Sequence, residues 1–185
     1  RHVGPQEVTV PVNRLVPEAV GGPGRRGARL GDHGKDVARK ARGLEPTLSD
    51  NRLTTVGALE DVDARRFEIR VAGPSALLVA KLHKIAERAA EPRAERLKNK
   101  DALDVLRLLR AVPLHVFTDG FTRLRTEELS ASVTREAVTF LERLFGSPSS
   151  PGSRLAISGT AGLEDPAMIG NSCAALAGEL LDSLQ

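Results

Sequence analysis

Lys81, Lys84 and Arg88 recur at spacings of three and four residues beside the apolar stripe Leu78, Leu82, Ile85 and Ala89. On a helix turning about 100° per residue they form one flank, with Lys81 and Arg88 nearly superposed. Cations at the edge of an apolar face suit phosphate, because Lys supplies a point charge and Arg a two-pronged donor. The same spacing also arises on an ordinary solvated flank whose aliphatic stems cover the core. A second helical pattern follows. Val105, Leu108, Leu109 and Val112 define its apolar face, Asp101 falls within that face and Asp104 lies at its edge. A carboxylate on the buried side needs a partner. Lys81, Lys100 or a metal-bound ligand can supply it. An acid in the first turn can instead point to solvent and complement the helix dipole. Both readings of each pattern stand at this level.

Other chemistries find little support. His2, His33, His83 and His115 have no H-x-x-x-H spacing, so no zinc site is expected. The glycine-rich Gly21 to Gly27 stretch lacks the lysine of a P-loop. Ser and His residues form no recognisable nucleophile motif. Cys173 sits in an Ala-rich helical stretch and reads as a small core residue. The Arg-rich run from Arg25 to Arg42 reads as a solvated face, with salt-sensitive nucleic-acid contact as its alternative. Asp61-x-Asp63 reads as a turn.

The elements that would position these residues follow from periodicity. Val8, Val10 and Val12 alternate as a strand, with Pro11 confining it to an edge. His33 to Arg42 reads as a short helix closed by Gly43. Leu53 to Leu59 and the alternating Phe67, Ile69 and Val71 predict a hairpin across Glu60 to Asp63. After Gly73 the period changes to that of a helix, with Pro74 opening it and Ala89 or Ala90 ending it. Glu91 to Lys98 is a polar loop. Asn99 caps a helix running to about Ala111, before Pro113. Further helices are expected near Thr118 to Ala131, from a Thr134 cap to Phe145, and from Asp165-Pro166 to about Leu184. Residues 147–153, rich in Ser, Pro and Gly, read as a flexible linker. Strands first and helices later make an α+β arrangement.

Composition narrows the function classes. Of 185 residues, 41% are hydrophobic and 28% charged, which fits a folded globular chain and not a disordered one. Five Phe with no Tyr or Trp leave no aromatic platform for stacking bases. A net charge of +3 permits nucleic-acid contact without establishing it. One cysteine cannot form an internal disulfide, which suits a reducing, cytoplasmic location. No apolar run reaches the ~20 residues a membrane span needs. The start, Arg1 to Pro5, has neither an apolar leader nor an initiator Met, as expected of a fragment or a processed product.

Pro74-Ser75-Ala76-Leu77-Leu78-Val79-Ala80-Lys81-Leu82-His83-Lys84-Ile85-Ala86-Glu87-Arg88, followed by Lys100-Asp101-Ala102-Leu103-Asp104-Val105-Leu106, resembles the second half of the AbiEii/AbiGii toxin-like nucleotidyltransferases. In that family a helix with a Lys and a following Arg precedes a Lys-Asp-x-x-Asp helix. The likeness covers about residues 66–111 and extends to the flanks, including Leu15 to Ala19. It implies a nucleotidyltransferase-like fold: a small mixed sheet packed by helices in residues 1–112, then a helical region in 113–185. It implies transfer of a nucleotidyl group from an NTP, with Mg²⁺, to an RNA or protein acceptor, the 3′ end of tRNA in some members. A cognate antitoxin is implied as a partner. Carried over to this chain, Lys81, Arg88 and Lys100 bind the NTP, Asp101 is the catalytic carboxylate, and Asp104 and Ser75 support them.

The chain departs from the family pattern where the metal is held. It has no Gly-Ser-x-x-x-Asp-x-Asp, since Gly146-Ser147 runs into Pro148. Asn13 stands where relatives carry a third acid, and Ala76 where many carry an acid before the helical Lys. The expectation is a truncated or partial member with no metal site of its own. The alternative is a non-catalytic remnant or an RNA- or protein-binding module.

Overall fold

The computed structural model describes residues 14–23, 27–29, 32, 38–60, 62–90 and 99–185. The strand expected at Val8 to Val12, Asn13, residues 33–37 of the expected short helix, Arg25 and Arg26, Asp61 and the loop Glu91 to Lys98 lie outside them. The protein is mixed α and β, with six α-helices and two strand pairs among the described residues. It divides into two compact units, Arg1–Ala41 and Arg42–Gln185.

In the first unit β1 (Leu15–Pro17) pairs in parallel with β2 (Arg39–Ala41), Val16 opposite Lys40. Residues 39–41 were expected in a helix. Their backbone is satisfied laterally instead: Arg39 N–H donates to Arg14 O at 3.0 Å, and Ala38 O accepts from Ala28 N–H at 3.0 Å. Pairing with a distant segment replaces the local bonds of a helix.

The second unit begins with a 3₁₀ turn, Glu45–Leu48, and a hairpin of β3 (Asn51–Gly57) and β4 (Arg66–Ala72). Register pairs Leu53 with Arg70 and Val56 with Phe67. The strands therefore form one parallel and one antiparallel pair, and no single mixed sheet joins them among the described residues. The expected turn is present, with Asp63 accepting the backbone N–H of Arg65 at 3.0 Å.

Six helices follow: α1 (Pro74–Ala90), α2 (Asn99–Ala111), α3 (Leu114–Leu124), α4 (Ala131–Phe145), α5 (Pro151–Gly159) and α6 (Pro166–Ser183). α1 packs on α2, α3 and α4, and α2 packs on α5 and α6. One aliphatic core joins them. Leu78, Leu82 and Ile85 of α1 meet Val105, Leu106 and Leu109 of α2, with Phe117, Phe121, Leu141, Phe145 and Leu180 from the later helices. This core is continuous across residue 112. Cys173 is fully buried in the core, as its Ala-rich setting predicts, and burial pushes its thiol above the usual range.

Three helical boundaries differ from expectation. α3 starts at Leu114, four residues early, because Pro113 sits at its N-cap and Phe117, Phe121 and Leu124 all turn into the core. α4 starts at Ala131, and Thr134 lies within its first turn, buried, with its hydroxyl oxygen unpartnered. Residues 147–153 are not a flexible linker. Ser150 N–H donates to Ser147 O at 3.1 Å, Pro151 opens α5, and Gly152 and Ser153 are buried. The Asp165 cap matches its sequence pattern, accepting from Ala167 N–H at 2.7 Å and Met168 N–H at 3.0 Å. Among the described residues no helix is long and apolar enough to cross a membrane.

Candidate functional site

The start of α1 is held by a residue far from it in sequence. The Asp50 carboxylate accepts Ala76 N–H at 2.7 Å, and Arg123 of α3 donates to its other oxygen at 3.1 Å. Gly73 N–H donates to the Asp50 carbonyl at 2.7 Å. A Cβ at Gly73 would lie 2.3 Å from the Asp50 carboxylate, so a larger residue there would displace the capping group. One acidic side chain thus caps α1 and ties it to α3, fixing the rod that carries the cations. The sequence showed no sign of this cap, because Asp50 lies far upstream, across the whole hairpin. Replacing Asp50 by Ala is expected to cost about 1–2 kcal/mol, read by urea unfolding. Faster hydrogen exchange at Ala76 than at Leu106 would separate a loosened helix start from global loss.

Two turns into α1 the cations meet the carboxylates of α2. Asp101 Oδ1 accepts from Lys84 Nζ at 2.7 Å and Lys81 Nζ at 3.2 Å, and Oδ2 accepts from Arg88 Nη1 at 2.5 Å. Asp104 Oδ2 accepts from Lys81 at 2.7 Å, and its Oδ1 from Arg107 at 3.4 Å. The Asp101 side chain is only 6% exposed. The cations are more open: Lys81 20%, Arg88 25% and Lys84 43%. Asp101 is therefore the buried, paired carboxylate and not the solvated first-turn acid, although it occupies the first turn of α2. Its position on the apolar face follows from the spacing that buries Val105 and Leu109 beneath it.

Burial pushes the Asp101 carboxyl up, but the hydrogen bonds and charges of Lys84, then Lys81, outweigh it and hold the group below its ordinary 3.8. For Lys81, burial acts downward, and its bonds to Asp104 and Asp101 more than reverse this, leaving the ammonium above its ordinary 10.5. Both groups are thus fixed in their charged forms at neutral pH. Four cations surround two carboxylates, so the cluster carries excess positive charge at a partly open edge.

Not every expected residue joins it. Ser75 is buried at the other end of α1, where its hydroxyl donates to Val116 O at 3.4 Å and meets Gly120. It serves the α1–α3 contact. Lys100 is exposed and makes no bond to the cluster, because it lies about 100° around α2 from Asp101. Lys84, read with Lys81 and Arg88 as a phosphate-binding flank, does join although the resemblance gives it no role, and so does Arg107, to which the sequence pointed in no way. The signal for Lys84 was present, since it shares the flank with Lys81 and Arg88.

The chemistry of the donor set decides what it can hold. Mg²⁺ needs carboxylate oxygens free to face it in near-octahedral geometry. Here both oxygens of each carboxylate face a Lys or Arg, and a divalent cation would sit among like charges. Among the described residues no group of three or more His, Cys, Asp and Glu is placed to hold a metal. Asp63 is bound by Arg65 in the hairpin turn. The residues of this cluster do not fit the Mg²⁺ that the resemblance implies. They fit an anion. No family model, no curated protein and no solved structure matches this chain.

Proposed function

We propose that the chain binds the polyphosphate of a nucleoside triphosphate along the Lys81–Lys84–Arg88 flank, as the donor-binding part of a nucleotidyltransferase-like protein. The observation that carries this is the convergence of three cations from α1 on one buried carboxylate, with charge left over. Asp101 and Asp104 hold the cations in place, which lowers the ordering cost of receiving a phosphate. The likeness of residues 66–111 to the toxin-like nucleotidyltransferases supports the same ligand. On that likeness rest the RNA or protein acceptor, tRNA included, and the antitoxin partner, while the single cysteine supports a reducing, cytoplasmic location. Asp101 is a weak general base, because its carboxyl is held ionised well below neutral pH. This favours a binding role without transfer as the second reading.

A fluorescent NTP titration tests the proposal. Lys84→Ala removes a cation that is 43% exposed, so the fold is retained. Losing one charge-assisted contact weakens binding by about 10- to 100-fold. Lys81→Ala, which removes two bonds, abolishes it. Unchanged affinity in Lys84→Ala, or no NTP binding by the wild-type chain, would overturn the reading.

A further inference from the structure

We infer that this site takes its polyphosphate as the metal-free anion, with α1 cations in the role that Mg²⁺ plays elsewhere. The inference rests on the NTP-binding reading above and adds the form of the ligand. A polyphosphate in a protein site needs its charge offset and its oxygens bound, and either a divalent cation held by free carboxylates or a set of Lys and Arg can do both. In this chain the carboxylates are committed. Lys84 and Lys81 occupy Asp101 Oδ1, Arg88 occupies Oδ2, and Lys81 and Arg107 occupy the two oxygens of Asp104. A metal-bound phosphate brought to these acids would set a dication within salt-bridge range of Lys81, Lys84 and Arg88.

The cations, in contrast, keep capacity. An ammonium has three donors and a guanidinium five. Lys84 spends one on Asp101 and Arg88 spends one, and both side chains reach the surface. Free triphosphate also carries more negative charge than its Mg²⁺ complex, so the excess positive charge of four cations over two carboxylates attracts it more strongly. The carboxylates act as a template: they draw the three α1 cations into one patch and leave its outer side for the ligand.

The experiment is the fluorescent NTP titration repeated in EDTA and in excess MgCl₂, at matched ionic strength, with inorganic tripolyphosphate as competitor. The expected result is binding in EDTA that Mg²⁺ weakens several-fold, with tripolyphosphate displacing the nucleotide and Lys84→Ala losing the EDTA affinity. Binding that requires Mg²⁺ overturns the inference and leaves the NTP reading intact. Binding in neither condition overturns both. Titration of the protein with MgCl₂ alone, followed by calorimetry, is expected to show no binding heat, and saturable heat lost in Asp101→Asn would overturn the inference independently.

Discussion

Asp101→Ala is expected to destabilise the protein by about 3 kcal/mol, lowering the unfolding midpoint by about 10 °C for a chain of this size. The carboxylate is the shared counter-charge of Lys81, Lys84 and Arg88. Its removal leaves three cations facing one another over the hole it vacates. The cost sits at the lower end for a broken buried pair, because the cations are partly solvated. Asp101→Asn keeps the shape and one oxygen acceptor but loses the charge, so it recovers only part of the loss. The pH dependence gives a second check with a fixed sign. The folded carboxyl is depressed below its ordinary 3.8. Below about pH 5 the unfolded chain therefore takes up a proton before the folded chain does. The stabilisation from Asp101 is complete above the unfolded value and is lost as pH falls through the lower folded value. Thermal unfolding from pH 3 to 7 should show a steep acid limb in the wild type and a shallower one in Asp101→Asn. Equal slopes would mean that the carboxylate is not held by its neighbours in solution.

How much of this was legible in the sequence depends on how local each cause is. The helices α1 and α2 could be read because their apolar residues recur at three and four, and because Pro74 and Pro113 mark where they can begin or must have ended. Asp101 stood out for the same reason, as a charge where the pattern calls for an apolar side chain. The hairpin was legible from the alternation of Phe67, Ile69 and Val71. What escaped was whatever a distant segment decides. Three residues at 39–41 become a strand only because Leu15–Pro17 lies alongside them. The Asp50 cap reaches α1 across the whole hairpin. Lys100 was assigned to the site by likeness of motif, yet the turn of α2 between adjacent residues carries it away from Asp101. Lys84 is legible from its place on the Lys81–Arg88 flank but not from the likeness of motif, although it makes one of the two closest bonds to Lys81's own partner.

Residues 147–153 show the same limit most sharply, and they can be tested by one substitution whose sign differs between the two descriptions. Ser, Pro and Gly in a row read as a flexible linker, and in a linker Gly→Ala stabilises slightly, by about 0.4–1 kcal/mol, through the unfolded state. In the structure Gly152 lies in the first turn of α5, buried, with no room for a side chain. A Cβ there would sit 2.6 Å from the Leu144 carbonyl oxygen and 2.7 Å from the Phe145 ring. The carbonyl belongs to the backbone of α4, and Phe145 is fully buried, so neither can step aside cheaply. Gly152→Ala is therefore expected to cost about 2–3 kcal/mol, read as a lower midpoint in thermal or urea unfolding. Ser149→Ala, at an exposed position three residues earlier, should stay within about 0.5 kcal/mol of the wild type. A stabilised Gly152→Ala protein would restore the linker. The consequence reaches the site, because α5 is packed on α2. If α5 is displaced, the α2 surface that presents Asp101 and Asp104 loses its support from behind. NTP affinity in Gly152→Ala should then fall together with stability, whereas Lys84→Ala lowers affinity with stability nearly unchanged. That contrast separates residues that touch the ligand from those that only hold the helices in place.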